Sequence, residues 1–566
     1  MKPRAKVLLI KPTMTIRKVM EIIQAGPRTV DDAPGHVALA VNGADKLIGV
    51  VTDGDIRRAL LAGVSLKDKI GPYINRHPIT FKKSDTPEQI LEKTFLELKM
   101  RSKKRLEIII ILDDDGTLYD VFSFFELWQK LEVKSRLISI IGLGYVGLTL
   151  ALILAESGFK VVGVDKNKKI INNLSKKISH IHEPGINDLL GRHIGRNFFP
   201  CQKFKSGRSD IYIICVGTPV GDRGHVIKKS LFEALDYITN ILKKDDLVIL
   251  RSTVPIGTCR KLVIPYLEKK TSLLVGDDFY LSFAPERTVE GSALQELRTL
   301  PQVIGSYDQK SSNLTLKLFN SITSSTILVD NLETAEMIKL LNNSYRDLTF
   351  AFANEAALFA DKLGLNSHKV ITAANYGYDR SRIPRPSPGV GGYCLTKDPY
   401  IYINSAKSIG QQIFLSKISR RINDQMVGYV AEKVFAFIKE NNLPARTKIF
   451  MMGVAFKGDP ATDDTRSSTS LHILRKISKY YKNIKVHDPI VKKVNLKKLK
   501  LNYVSLEKGF EKSNIILLLS NHKDYASLNI FELLKKTKKP TLFFDAWHLY
   551  DEIIKEPLPG VVHRGV

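Results

Sequence analysis

A chain of 566 residues, 44% of them hydrophobic, has the length of three or four domains of roughly 100–200 residues and enough apolar content for several cores. Lys and Arg number 86 against 58 Asp and Glu, a formal net charge of +28; that favours anionic partners such as phosphates, nucleic acid or a membrane surface, but no zinc-finger spacing and no basic region leading into heptads points to specific nucleic-acid recognition. The four cysteines, Cys201, Cys215, Cys259 and Cys394, show no CxxC pairing, which argues against a disulfide framework and a structural zinc site, so no metal is expected.

The basic N-terminus, MKPRAKVLLIKPTMTIRKVM, has an apolar core only from Val7 to Ile10. That is too short for a secretory signal, and a reducing cytoplasm is the expected compartment. A diverged repeat follows. DKLIGVVTDGDIRRAL (Asp45–Leu60) can be laid on GTLYDVFSFFELWQKL (Gly116–Leu131) at an offset of 71 residues. Each copy is a short apolar strand, then Thr or Ser, then an acid three residues on, then a helix-like run. Thr52 and Asp55 correspond to Ser123 and Glu126. Amphipathic stretches, TIRKVMEIIQ and TPEQILEKTFLEL, lie upstream. The segment resembles a tandem pair of cystathionine β-synthase (CBS) domains. That resemblance implies that Thr52 and Asp55 hold the ribose of an adenine nucleotide.

LEVKSR (Leu131–Arg136) reads as a linker into a regular alternation of apolar runs and helical runs. LISIIGLG, KVVGVD, DIYIICVGTP, LVILRSTVP, YLSFAPE and TILVD, separated by helices, imply a parallel sheet. A helical pattern then runs from Glu333 to Leu365, and the alternation restarts after Arg446 with KIFMMGVAF, KVHDP, NIILLLS and TLFFDAW. Leu137–Ala155 is uncharged and about long enough to cross a bilayer. Its interior glycines divide it instead into a buried strand and a buried helix.

Those glycines, Gly142, Gly144 and Gly147, fit G-x-G-x-x-G between a strand and a helix. The first permits the tight turn, the second lets a pyrophosphate approach the backbone, and the third lets helix and strand pack closely. The helix N-terminus then faces the phosphates. Asp165 ends the next strand about 20 residues later, where an acid hydrogen-bonds a ribose 2′-OH and repels a 2′-phosphate. The expected cofactor is therefore NAD rather than NADP.

Six stretches, in order, carry a further resemblance: CVGTP, STVPIGT, APERTVEG, EMIKLLNNSYRDLTFAFANE, PGVGGYCLTKDPY and GVAFKGDPATDDTRSS. Together they resemble the nucleotide-sugar dehydrogenases, the UDP-glucose and UDP-N-acetylhexosamine 6-dehydrogenase family, from about Arg136 onward. The implied architecture is two Rossmann-like doubly wound α/β domains joined by a helical spine and preceded by a small α/β CBS-pair module. Its expected parts are residues 1–132, 136–330, 331–440 and 441–566. The implied reaction is a four-electron oxidation of a sugar CH2OH to carboxylate with two NAD+, serving surface polysaccharide synthesis. A cysteine is needed because an aldehyde has no second hydride to give until a nucleophile adds to it; the thiohemiacetal and thioester follow.

The family's motifs assign the nucleophile to Cys394, and a helix starting there would lower its thiol pKa. Lys339 and Asn343, four apart on one helical face, suit an oxyanion at C6. Asp398 would manage protons with Lys339 through a water, and Glu286 and Thr253 would flank the hydrolytic water. Cofactor contacts fall to Gly142, Gly144, Tyr145, Val146, Gly147, Asp165, Thr218, Thr253 and Glu290. Gly391 and Gly392 would bring the backbone close to substrate. Lys457 and Arg466 would hold the diphosphate in the last domain, which lacks a GxGxxG. Arg380 would reach the sugar nucleotide across a dimer interface.

The family's glucose enzymes read FGGSC and its N-acetylhexosamine enzymes PGVGGHC. This chain reads PGVGGYC, with Tyr393 in place of His. A UDP-N-acetylhexosamine is therefore expected, with UDP-glucose as the alternative. Two other classes stay open. One is a β-hydroxyacid dehydrogenase performing a single two-electron step, which would need neither GGxC nor a second nucleotide domain. The other is an adenylate sensor with a decayed dehydrogenase body, against which intact Cys394, Lys339, Asn343 and Asp398 speak.

Overall fold

The computed structural model describes all residues except 31–32, 101–105, 107, 124–135, 204–208, 222–223, 552 and 555–557. The chain forms two compact units, Met1–Arg136 with Lys317–Ser325, and Leu137–Leu316 with Thr326–Val566.

The 71-residue repeat appears in the first unit as two sheets of the same plan. Strands β1 (Leu9–Ile10) and β2 (Val37–Val41) pair parallel, and β2 pairs antiparallel with β3 (Leu47–Thr52). Strands β4 (Thr80–Lys82), β5 (Ile108–Leu112) and β6 (Leu118–Ser123) repeat that order and those directions. Even the irregularity recurs at the equivalent place, between Ala40 and Val41 in one copy and between Ile111 and Leu112 in the other. The period-2 alternation gives each sheet two buried faces. Val37, Leu39, Val41, Ile108 and Ile110 share one core. Ala38 and Ala40 face a core with Ile16, Val19 and Ile23 of helix α1 (Ile16–Thr29). Helix α2 (Asp53–Leu61) follows β3, and helix α3 (Pro87–Met100) precedes β5. Glu126 and most of the linker LEVKSR lie outside the described residues.

The second unit opens with an eight-stranded sheet, β7 (Ile138–Ile141), β8 (Val161–Val164), β9 (Phe198–Cys201), β10 (Ile211–Ile214), β11 (Leu247–Leu250), β12 (Tyr280–Phe283), β13 (Gln302–Ser306) and β14 (Thr326–Val329). The spatial order is β14-β13-β12-β11-β10-β7-β8-β9. Strands β7 to β9 grow one way and β10 to β12 the other, so the order reverses between β7 and β10, where doubly wound sheets open a ligand crevice. Two strands, β9 and β13, were not among the expected apolar runs. The sheet is also not wholly parallel. After β12 the chain turns back on itself and β13 pairs antiparallel, Ser282 opposite Ser306, a connection that needs no return crossover.

The third part of the chain forms a five-stranded, wholly parallel sheet: β15 (Ile449–Met452), β16 (Ile484–His487), β17 (Ile515–Leu518), β18 (Thr541–Asp545) and β19 (Val561–Gly565), in the order β16-β15-β17-β18-β19. It too reverses order, between β15 and β17. Gly453 follows β15 at φ +97°, and a Cβ there would stand 2.2 Å from the Ser520 Cβ. This second crevice forms without a GxGxxG.

Helix α4 (Tyr145–Glu156) follows β7 and packs on the first sheet, and helices α5 (Leu332–Lys362), α6 (Asp398–Lys407) and α7 (Phe414–Glu440) lie between the two sheets in chain order. Helices α5 and α7 are tied by a fully buried pair, Arg420 Nη1 to Asp347 Oδ1 at 2.6 Å. Asn423 donates to the same oxygen at 2.8 Å and accepts from Asn354 at 2.9 Å.

Candidate active site

The crevice between β7 and β10 is built by the glycine motif. Gly142 has φ +96°, and a Cβ there would meet Cys215 O at 2.9 Å; at Gly147 it would lie 1.8 Å from Gly142 O. These two glycines are required by the protein itself. Gly144 is different: its Cβ would meet nothing within 4 Å. The open space beside it, at the N-terminus of α4, fits the close approach of a dinucleotide pyrophosphate. The first amide of α4 bonded within the helix is Leu148 N, to Gly144 O at 3.0 Å. Tyr145, Val146 and Gly147 precede it and have no partner within the helix. The Tyr145 side chain is used elsewhere: its hydroxyl contacts Glu183 and accepts from Gly291 N at 2.6 Å. Asp165 Oδ2 accepts from Leu143 N at 2.9 Å and Oδ1 from Asn167 N at 2.8 Å. The ribose candidate thus also braces the glycine turn. Lys166 is exposed and paired with Glu233 at 2.6 Å.

Cys394 is the one exposed cysteine of the four. It sits in the turn four residues before α6, with Asp398 N bonding Cys394 O at 2.8 Å. The helix itself begins at Asp398, with Cys394 outside it, and the expected lowering of the thiol pKa does not follow. Protein packs closely around the solvent-reachable thiol; that desolvation, with Asp398, pushes it above the ordinary range, while Lys339 and Lys397 pull the other way. Cys215 is pushed up to about 12 by burial, and Cys259 rises for the same reason, as an inert buried thiol should.

Asp398 has no solvent exposure. Its Oδ2 accepts from Asn343 Nδ2 at 2.6 Å, and its Oδ1 pairs with Lys397 Nζ at 3.1 Å. Lys397 is itself buried and reaches Thr218 Oγ1 at 3.3 Å. Thr218 in turn donates to Thr253 O at 2.6 Å. Lys397 is a residue the sequence reading missed; the signal available was the basic residue beside the acid in TKDP. Lys339, also buried, has no ion pair among the described residues, yet it acts electrostatically on both Cys394 and Glu286.

Glu286 has less freedom than expected. Oε2 is held by Arg251 Nη2 at 2.5 Å, and Oε1 accepts from Arg287 N at 2.8 Å and Thr288 N at 2.9 Å. Burial opposes its ionisation, but Arg251, those amides and Lys339 outweigh it and hold the carboxyl below its ordinary value. With both oxygens engaged, Glu286 is a fixed negative charge rather than a free base. Arg251, directly before STVP, is the second missed residue.

Gly391 and Gly392 are also required by packing within the protein. A Cβ at Gly391 would lie 2.8 Å from Ser467 O, and one at Gly392 (φ +87°) 2.7 Å from the Phe456 ring. The glycines let the nucleophile's turn press against the last domain. Glu290 also faces that domain: Lys457 Nζ donates to its carbonyl at 2.7 Å, Thr462 to its carboxyl at 3.3 Å, and Arg466 lies 3.5 Å away. Burial, with Asp464, raises Glu290 to about 7. Arg380 is exposed and has no side-chain partner among the described residues, so one chain does not bring it to the cluster. In the first unit Thr52 and Asp55 form a capping box for α2. Thr52 donates to Asp55 Oδ2 from N at 2.9 Å and from Oγ1 at 2.7 Å, and Arg58 pairs with the other oxygen.

The doubly wound sheet and its glycine crevice define a dinucleotide-dependent dehydrogenase. More narrowly, the chain belongs to the UDP-glucose/GDP-mannose dehydrogenase family: its NAD binding domain matches residues 136–323, its central domain 333–425 and its UDP binding domain 450–552. A CBS domain matches residues 2–62. The protein is an NAD-dependent nucleotide-sugar dehydrogenase with an N-terminal CBS domain. It is 35% identical to the UDP-N-acetyl-D-mannosamine dehydrogenase of Pyrococcus horikoshii over 76% of this chain and 98% of that one. A solved structure of UDP-D-ManNAc dehydrogenase from that organism superposes with TM-score 0.69 at 34% identity, covering 76% and 99% of the two chains. A UDP-glucose dehydrogenase from Pyrobaculum islandicum gives TM-score 0.65 at 26% identity over 76% and 97%. Among the described residues no helix is long and apolar enough to cross a membrane, Leu137–Ala155 included.

The charges around Cys394 make a prediction about its reactivity. A raised thiol pKa means that iodoacetamide alkylation should accelerate with pH into the alkaline range. Asp398→Asn removes the negative neighbour and should speed alkylation at neutral pH several-fold, roughly 3- to 10-fold for a shift of half to one pKa unit, while turnover falls. Lys339→Met should slow alkylation. Equal rates in all three proteins, followed by mass spectrometry of the Cys394 peptide, would contradict this electrostatic arrangement.

Proposed function

We propose that the enzyme oxidises C6 of UDP-N-acetylmannosamine to the carboxylate. The observation that carries the four-electron course is the accessible Cys394 thiol set between buried Lys339 and buried Asp398. The choice of sugar draws on the activity of the relatives and on PGVGG; the fold alone does not discriminate, since glucose and mannosamine enzymes superpose almost equally well.

NAD, when bound, supplies the hydride acceptor for both oxidation steps. The rest is the work of this chain. Converting CH2OH and one water to carboxylate releases two hydrides and three protons. Asp398, through Lys397 and Asn343, is placed to manage protons beside the thiol. After the first oxidation the Cys394 sulfur adds to the aldehyde carbon, and Lys339 faces the resulting oxyanion. One Asn343 N–H is committed to Asp398, leaving the other for the same oxygen. Loss of the second hydride gives a thioester on Cys394. Water adds, the C–S bond breaks, and the thiol is regenerated with release of the uronate. Glu286, fixed by Arg251, balances the charge of Lys339. Lys457 and Arg466 suit the diphosphate.

Incubation with UDP-N-acetylmannosamine, UDP-N-acetylglucosamine and UDP-glucose should yield two NADH per sugar consumed, fastest with the first. Cys394→Ala should form no uronate yet retain NAD binding. One NADH per sugar from the unmodified enzyme would reduce the reaction to the alcohol step.

We also propose a homodimer through α5. Met337, Leu341, Tyr345, Phe352 and Phe359 are 40–67% exposed along it, with spacings of four and seven that put them on one stripe. Pairing these faces would give Arg380 a partner chain to reach into. Tyr345→Asp with Phe352→Asp should halve the mass in light scattering and abolish activity. A dimer that persists would reject this surface.

For the CBS domain, an adenine nucleotide at Thr52 and Asp55 would have to take over contacts now spent in the capping box. Calorimetry of the full chain with AMP, ADP and ATP should give heat that Asp55→Ala abolishes. Silence with all three nucleotides would leave the pair a helix cap.

A further inference from the structure

Tyr393 departs from the family's motif, and its surroundings differ from those of an ordinary buried aromatic. Its ring is approached by cations from two parts of the fold. The Arg466 guanidinium, from the last domain, lies 4.7 Å from the ring centroid. The Lys397 ammonium lies 5.2 Å from it. The phenol oxygen lies 4.0 Å from where a Cβ on Gly217 would stand, beside the CVGTP turn of the cofactor domain. Arg466 is chelated by Asp464, with Nη2 to Oδ2 at 2.6 Å, and its side chain stays 54% exposed. It is close enough to Cys394 to feel the thiolate charge. The last domain's arginine thus rests on the residue directly before the nucleophile.

We propose that Tyr393 is a positioning residue for the nucleotide sugar: its ring face holds the Arg466 guanidinium over the catalytic turn, so that substrate capture by the last domain and alignment of Cys394 are coupled through one side chain. The attraction is that of a cation for the negative face of an aromatic ring. It requires the ring to stay uncharged. Burial pushes the Tyr393 phenol up to about 12, so the ring is neutral across the working range. The titratable or charged groups facing it are Arg466, Lys397, Cys394 and Asp398. An unperturbed imidazole titrates at about 6.5, and burial beside these two cations would hold one lower. Once protonated, it would repel both cations.

The test uses the full-length enzyme with the UDP-sugar it turns over fastest. Tyr393→Leu keeps the bulk and loses the ring; it should raise KM for the UDP-sugar about tenfold, with KM for NAD within about threefold. Tyr393→Phe should restore the sugar KM to within about threefold of the unmodified enzyme. Tyr393→His should follow the Phe variant near pH 8 and move toward the Leu variant only as the pH falls below the ordinary imidazole range, since burial and the two cations disfavour protonation, a pH dependence that a purely space-filling residue would not create. The proposal is overturned if the Leu variant keeps its sugar KM, if Phe fails as badly as Leu, or if KM for NAD rises equally. Calorimetric Kd values for UDP-N-acetylmannosamine on the same variants keep this outcome separate from the sugar assignment. A parent enzyme that fails to bind that sugar refutes the assignment, and the KM series on the sugar actually used still decides the role of Tyr393.

Discussion

A carboxylate with no access to water must be answered inside the protein, because an unpaired buried charge costs several kcal/mol, about 3–5 when one partner of a pair is removed. Asp398 is such a group, and its answers reach into three parts of the fold. Asn343 comes from α5, Lys397 from the nucleophile's own turn, and Lys397 continues to Thr218 in the cofactor domain. The same residue's amide holds the Cys394 carbonyl. The position of the thiol is therefore not a local property of its turn. It depends on a charge that only the assembled second unit can satisfy.

The cofactor domain and the last domain also meet directly at the segment that carries Glu290 and Gly291. On the cofactor side, Tyr145 at the head of α4 and Glu183 hold the Gly291 amide, next to Glu290. On the other side, Lys457, Thr462 and Arg466 close on Glu290 itself. His182 N bonds Asp463 Oδ1 at 3.3 Å across 281 residues of sequence. Gly391 and Gly392 remove the side chains that would otherwise keep the nucleophile's turn from Ser467 and Phe456. The UDP binding domain thus packs directly against the turn that carries Cys394.

The buried ion pairs behind the site act as spacers more than as sources of stability. Arg251 with Glu286 and Arg420 with Asp347 each sit where removing one partner would strand the other. Arg420 also reaches Leu395 O at 3.4 Å, one residue after the nucleophile. Glu336, a buried carboxyl on α5, ties that helix to the cofactor domain. It accepts from Cys259 N at 2.8 Å and from the Gly257 amide, while burial lifts its carboxyl to about 7.

The amino-acid sequence by itself determined what local geometry and short spacing can express. The glycine turn with Asp165 at the end of the next strand, the repeat of the first unit, the long α5 and the pairing of Lys339 with Asn343 on one helical face all follow from periodicities that a segment carries alone. It did not disclose β9, β13 or β19, whose short runs FFPC, QVIGS and VVHRG lack a distinguishing period. It also misjudged the Cys394 thiol, because the helix begins at Asp398 and the dominant influence is protein packed around the turn from other segments. Tertiary structure alone decided that Glu286 is saturated by Arg251 35 residues away, that Lys397 and Thr218 meet across 179 residues, and that Gly391 and Gly392 face Ser467 and Phe456. Burial and pairing arise only when distant segments close on one another, and those two quantities raise the Cys394 thiol and place the side chains around it.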